Sequence, residues 1–346
     1  MAHYAGLDVS LETTSICIVA EDGRTIAERK VPTCPEAIAE MLGAQAPELA
    51  RAGMETGPLA VWLWGELSRR KVPIVCMDAR HANAALSMMP SKTDRTDARG
   101  LAQIVRTGWF KQVHIKSSES HQIRALLAAR RQLVEIRCRL ENEARGLLRT
   151  FGIRFGKNVG GFTRRAAAIL ADELVDLPAV RFVIDALLQA RAAILVQVRS
   201  FDVRIRALVR QHEVCRRFTT VPGVGAITAL AVYTAIDEPA RFRRSAAVGA
   251  YLGLTPRRYA SGEIDRKGRI TKRGDAFART HLFEAANALL TRGRAFSSLK
   301  AWGLKLARAS GFKKAKVAVA RKLAVLLHAM WKNGTEFRWQ AAAAPA

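Results

Sequence analysis

The sequence predicts an α/β layer with a mixed sheet, followed by a largely helical remainder, and three observations carry that prediction. Short β-branched runs alternate with helical stretches as far as Met77. Leucines then recur every seven residues at Leu126, Leu133, Leu140 and Leu147. From Val221 onward, glycine-punctuated turns separate further helical stretches. The chain has 346 residues, 49% of them hydrophobic, and can bury the cores of two or three domains.

The opening segment reads as a three-strand meander. Residues 4–9 alternate loosely, residues 15–20 are a β-branched run, and Glu21-Asp22-Gly23-Arg24 is a turn before a third strand over 25–31. Asp8 falls on the first strand. A helix is predicted over residues 35–49, then a short strand ending at Met54-Glu55, a helix over 59–69 and a strand over 72–77. Asp94 and Asp97 lie in a segment where Ser91 or Thr93 can cap a helix, and their spacing of three puts both carboxylates on one helix face.

The middle of the chain differs in kind. Around the leucine stripe, Ile123, Ile136, Ala144 and Phe151 broaden the apolar face. A second such helix runs over residues 180–211, with Ile184, Leu187, Ile194, Val198, Phe201, Ile205 and Leu208. The period of 3.5 suits an antiparallel or intermolecular coiled coil, and packing within one protomer serves the pattern equally well. Residues 152–163 read as a crossing loop. Further on, Val221-Pro222-Gly223-Val224-Gly225 reads as a hairpin between helices, similar to a helix-hairpin-helix element. Gly223 and Gly225 would let backbone amides approach a phosphate, or would merely end a helix. Residues 251–275 read as a glycine-punctuated loop crowded with arginine and lysine. The expected domains are 1–118, 119–212 and 213–340.

Charge divides the labour. The formal net charge is +26; residues 1–60 hold nine acids against four Lys/Arg, whereas residues 241–346 hold twenty-three Lys/Arg against five acids. A surface of that kind binds polyanions through counterion release, strongly at low salt. Asp8, Glu55, Asp94 and Asp97 suit Mg2+, a hard cation that takes oxygen ligands and fills its remaining positions with water or substrate phosphate. Acids gathered without a cation would raise one another's pKa. The alternative for Asp94 and Asp97 is a solvated helix face balanced by Arg95 and Arg99. Five scattered cysteines without C-x-x-C spacing suit a reducing cytoplasm, and no segment reads as an export signal or membrane span.

Gly6-Leu7-Asp8-Val9-Ser10, Met54-Glu55-Thr56 and Lys92-Thr93-Asp94-Arg95-Thr96-Asp97-Ala98 together resemble the DEDD transposases of bacterial insertion sequences, a group that includes the Piv-type DNA invertases. Val221-Pro222-Gly223-Val224-Gly225, Gly253-Leu254-Thr255-Pro256, Ser261-Gly262 and Thr271-Lys272-Arg273-Gly274 resemble that family's second domain in the same order. The resemblance implies an N-terminal RNase H-like (RuvC-like) domain in which Asp8, Glu55, Asp94 and Asp97 hold Mg2+. It also implies a serine nucleophile at Ser261, joined covalently to a DNA strand end and completed by the metal site of another protomer. The implied partners are donor and target double-stranded DNA, a structured guide (bridge) RNA that pairs with both, and further copies of the chain in a dimer of dimers.

Taken from the residues alone, Ser261-Gly262 is more often a turn than a nucleophile, although Arg257, Arg258, Arg266, Lys267, Arg269, Lys272 and Arg273 supply charge for an alkoxide and a phosphorane. Lys313 and Lys314 read as a phosphate-facing helix surface that positions nucleic acid. Two rivals remain: a Piv-like site-specific invertase, and a non-catalytic junction-binding protein that uses the hairpin and basic helices alone.

Overall fold

The computed structural model describes residues 1–87, 92–155, 161–292 and 296–339. The chain divides into two compact units, Met1–Lys116 and Ser117–Ala346.

In the first unit the chain runs β1 (His3–Val9), β2 (Thr13–Ala20), β3 (Thr25–Pro32), α1 (Pro35–Gln45), β4 (Leu49–Glu55), α2 (Ala60–Arg69), β5 (Ile74–Met77), α3 (Ala79–Leu86) and α4 (Asp94–Thr107). The strands form one mixed sheet in the order β3-β2-β1-β4-β5, antiparallel through the meander and parallel from β1 to β4 to β5. The helix predicted to reach Leu49 ends at Gln45, because Pro47 biases the residue before it away from the helical region and Ala46 sits at φ −139°, ψ 67°. Leu49 instead opens β4. Helix α3, which had no clear periodicity, starts where the Asp78 side chain accepts a hydrogen bond from the Arg80 amide.

Period-two alternation gives the sheet two unlike faces. Ala5, Leu7, Ile16, Ile18, Ala52 and Met54 are buried with Ile38 and Leu42 of α1 and Leu63 and Leu67 of α2. The intervening residues face α4: Cys17 and Val19 pack on Ala98 and Ala102, while Met77 packs with Leu101 and Val105. Trp64 joins the α1/α2 side and donates from Nε1 to the Ile74 carbonyl at 3.1 Å, whereas Trp62 stays exposed.

The second unit comprises α5 (Ser118–Arg149), α6 (Phe162–Ala168), α7 (Pro178–Gln211), α8 (Glu213–Phe218), α9 (Ala226–Ile236), α10 (Ala246–Tyr251), β6 (Pro256–Ser261), β7 (Ile264–Ile270), α11 (Ala276–Thr291), α12 (Ser298–Ser310) and α13 (Phe312–Asn333). Helix α9 is its buried axis, with every residue from Thr228 to Ile236 inside. Residues 251–275, expected as a loop, contain the β6–β7 hairpin, because a positive φ at Gly262 closes a two-residue turn between Ser261 and Ile264.

Helices α5 and α7 run antiparallel within the one chain: Arg130 bonds Asp202 at 2.6 Å and Arg191 bonds Glu141 at 2.8 Å, so numbers rise on one helix as they fall on the other. The buried line on α7 is a heptad, Ile184, Arg191, Val198 and Ile205. On α5 it is Ile123, Leu127, Ala144 and Leu148, beside the leucine stripe rather than on it; Leu147 is exposed and the other three stripe leucines are half-buried. Arg191 also lies 4.5 Å over the Phe162 ring. Removing this guanidinium leaves half-buried Glu141 with only the longer Arg137 pair at 3.8 Å and takes the cation off the Phe162 ring, so Arg191→Ala is expected to cost about 2 kcal/mol in urea unfolding. A loss under about 1 kcal/mol, the worth of an exposed ion pair, would show that Arg137 or water already satisfies Glu141.

The five cysteines are free, and burial pushes the Cys17 and Cys76 thiols up to about 11, which suits packing groups. Among the described residues, no helix is long and apolar enough to cross a membrane.

Candidate active site

In the first unit the site begins with two glycines. Gly6 on β1 and Gly53 on β4 are direct partners in the parallel register, and both face α4. A Cβ on Gly6 would stand 2.2 Å from the Ala102 amide nitrogen and 2.3 Å from the Ala98 carbonyl oxygen; one on Gly53 would stand 2.3 Å from Cγ2 of Val105. The helix backbone thus rests directly on Gly6, and the Val105 side chain fills the space over Gly53. Two residues beyond each glycine, on the same face, stand Asp8 and Glu55. Gly6→Val is expected to cost about 3 kcal/mol of stability, since backbone rather than a flexible side chain blocks the added atoms. An unchanged urea midpoint would refute the close approach.

Helix α4 brings the other acids. Its N-cap is Thr93, whose hydroxyl accepts from the Thr96 amide at 3.2 Å while the Thr93 amide donates to Thr96 Oγ1 at 2.8 Å; the other expected cap, Ser91, lies outside the described residues. Asp94 and Asp97 occupy the first turn, where the helix dipole favours negative charge. Asp8, Glu55 and Asp97 line one cleft of about 720 Å3, together with Arg80, Asn83 and Lys92. Asp94 lines a neighbouring pocket and accepts from Lys30 Nζ at 3.0 Å.

The charges explain which acids are left without a counterion. Arg95 and Arg99, the arginines that could balance the aspartates, both bind Glu28 on β3. Burial opposes the charge on Glu28, and the hydrogen bonds from the two arginines more than offset it, holding its carboxyl below the usual range. Among the described residues, no hydrogen bond or ion pair engages the Asp8, Glu55 or Asp97 carboxylates. Burial, then repulsion from Asp97 and Asp94, raises the Asp8 pKa; burial, then repulsion from Asp8 and Asp97, raises that of Glu55. Such a set gains from a divalent cation. No three His, Cys, Asp or Glu side chains already converge on one ion position among the described residues. Mg2+ tolerates that, since it is usually held by one or two carboxylates with water and phosphate completing its shell.

Lys92, Lys30, Arg80 and Asn83 were not singled out from sequence. Lys92 opens the segment that carries Asp94 and Asp97 and was legible from that place; in the fold its charge lowers the pKa of both Asp8 and Glu55. Lys30 reaches Asp94 only through the sheet, from 64 positions away.

In the second unit Ser261 is exposed at the tip of the β6–β7 hairpin. Arg257, Arg258, Arg266, Arg269, Lys272 and Arg273 are exposed around it, and the Lys267 side chain lies outside the described residues. The hairpin root is a backbone clasp. A Cβ on Gly253 would meet the Arg273 carbonyl oxygen at 2.1 Å, one on Gly274 the Tyr251 carbonyl oxygen at 2.0 Å, and both glycines have positive φ. Gly223, also at positive φ, packs on α11, where its Cβ would meet the Ala285 carbonyl oxygen at 2.4 Å; Gly225 is the open N-cap of α9. Lys313 and Lys314 are exposed in the first turn of α13, against the preference of the helix dipole.

Residues 5–153 match the DEDD transposase family of IS110 type, and residues 215–300 match the family described as Transposase IS116/IS110/IS902 family. The chain is 29% identical over 337 residues to the transposase for insertion sequence element IS1111A of Coxiella burnetii, covering 96% of this chain and 90% of that protein. It is 26% identical over 202 residues to the transposase for insertion sequence element IS1328 of Yersinia enterocolitica, covering 58% of this chain and 60% of that one. With both family patterns present in chain order and one relative aligned almost end to end, the chain belongs to the DEDD transposases of bacterial insertion sequences.

Proposed function

We propose that this chain is an RNA-guided recombinase that moves its own insertion sequence, cutting and rejoining DNA through a covalent serine intermediate with Mg2+ assistance. The observation that carries this reading is the set Asp8 and Glu55 on the sheet and Asp97 on α4, which line one cleft with no ion pair to any of the three carboxylates among the described residues, although Lys92 beside them offsets part of their charge. Asp94 completes the tetrad once Lys30 releases it. Mg2+, when bound, supplies positive charge to phosphate oxygens.

At Ser261, Oγ gives up its proton and bonds to phosphorus while the bond from phosphorus to a strand-end oxygen breaks. That oxygen takes a proton and leaves as a hydroxyl end. The bond energy stays in the seryl ester, so a hydroxyl from a second duplex can reverse the step without a nucleotide cofactor. Gly225, Lys313, Lys314 and the arginines around the hairpin hold backbone phosphates; Gly223 shapes the turn.

Pairing by a guide RNA would supply sequence while the protein binds shape and charge, which fits abundant surface Lys/Arg. Exchange between two duplexes needs several copies, proposed as a dimer of dimers. Phe182, Val196 and Val203, exposed on a single heptad line of α7, support assembly through that helix. The test is to express the full chain with its native flanking DNA, purify it in moderate salt, and sequence the RNA that stays bound. One discrete RNA from the flanking non-coding region, complementary to element ends and target, is expected. Heterogeneous cellular RNA would overturn guidance and favour protein-directed inversion.

A further inference from the structure

The β6–β7 hairpin has two unlike faces. Tyr259 stands opposite Arg266 and Ser261 opposite Ile264, while Ala260 stands opposite Asp265 and Arg258 opposite Lys267. Cross-strand partners share a face and successive residues alternate, so Ser261, Tyr259 and Arg266 lie on one side, and Arg258, Ala260 and Asp265 on the other.

The charges differ as well. On the far side, Arg258 donates to both carboxylate oxygens of Asp265, at 2.9 and 3.1 Å, so its charge is met within the hairpin. On the serine side, no ion pair or hydrogen bond engages the Arg266 guanidinium among the described residues. Tyr259 is 65% exposed beside it, its ring open to solvent. The Gly253–Gly274 clasp, reinforced by Arg279 Nη1 donating to the Leu252 and Arg273 carbonyls at 2.9 and 3.0 Å, fixes the root from which this face is presented.

We propose that the Tyr259–Arg266 face receives the DNA strand that carries the attacked phosphate, which makes these two the positioning residues for Ser261. The proposal rests on Ser261 being the nucleophile. Arg266 offers a planar fork to the non-bridging phosphate oxygens and faces the charge that grows on them during attack. Tyr259 gives a stacking platform to the neighbouring base, and two residues along a strand span about 7 Å, the scale of one nucleotide. A ribbon with five Lys/Arg against two acids between residues 256 and 270 suits that polyanion.

The experiment uses the full chain co-expressed with its native flanking region and supplied with a duplex bearing the native element end. It reads the rate of SDS-resistant protein–DNA adduct formation at saturating DNA. Arg266→Ala is expected to slow adduct formation about 100-fold, with Arg266→Lys recovering part of it as a point charge without the fork. Tyr259→Ala is expected to lose about tenfold and Tyr259→Phe to stay within about twofold. Ala260→Gln, on the far face, is expected to stay within about twofold as well.

If Ser261→Ala is inactive while Arg266→Ala and Tyr259→Ala match the wild type at saturating DNA, the face assignment fails and the nucleophile stands. If Arg266→Ala weakens only DNA retention and leaves the saturated rate unchanged, Arg266 is an ordinary backbone contact and the proposal is likewise overturned. An adduct that persists in Ser261→Ala brings down the underlying reading instead.

Discussion

Asp8→Asn is expected to reduce strand exchange at least about 1,000-fold, the scale of losing a charge-stabilising group at a reacting phosphate, with DNA and RNA retention unchanged. The same variant is expected to melt at a higher temperature than the wild type in EDTA. Burial first, and then Asp97 and Asp94, raise the folded pKa of Asp8 above its unfolded value. A carboxyl shifted that way adds stability at pH below its unfolded pKa and loses that advantage as pH rises through the folded value. At neutral pH the ionised group therefore costs the metal-free fold stability, and the neutral amide removes that cost. Mg2+ should stabilise the wild type by mass action and the variant far less. Differential scanning calorimetry with and without Mg2+ separates these effects. A metal-free variant that melts lower, or that exchanges strands normally, would remove Asp8 from the site.

Ser261→Ala is expected to abolish the covalent adduct and strand exchange while leaving the melting temperature unchanged. The residue is exposed at a hairpin tip, and surface positions away from packed features usually shift stability by no more than about 0.5 kcal/mol. Loss of activity could then not be blamed on unfolding. Mass spectrometry of the trapped adduct should locate the phosphoryl linkage on Oγ of Ser261 in the wild type. A linkage on another hydroxyl would move the nucleophile.

Much of the first unit was legible because its strands alternate, and a period of two fixes which side chains share a face. Asp8 and Glu55 could be placed on strands, and Asp94 and Asp97 on a capped helix turn, from local spacing alone. That Glu28 would take both Arg95 and Arg99, and leave Asp97 without a counterion, was not legible, because it depends on the pairing of β3 with the rest of the sheet. The hairpin that carries Ser261 was hidden for another reason. Its strands are exposed on both sides, so the alternation of apolar and polar residues that reveals a half-buried strand is missing. The leucine stripe of α5 misled by about a quarter turn, since spacing reports an apolar line but not which flank the partner helix covers.

The bare glycine pair beneath α4 bears on how loss-of-function screens of this protein should be interpreted. Gly6 and Gly53 carry no chemistry, yet replacing either would unseat the helix that holds Asp97, so a screen scored on transposition alone would group them with the acids. The two classes part when abundance is counted beside activity. Carboxylate substitutions should leave soluble protein at wild-type levels or above, whereas side chains installed at the glycines should deplete it. A position that is silent in activity but normal in yield is then a candidate for chemistry, and one silent in both is a spacer whose contribution is the room it leaves empty.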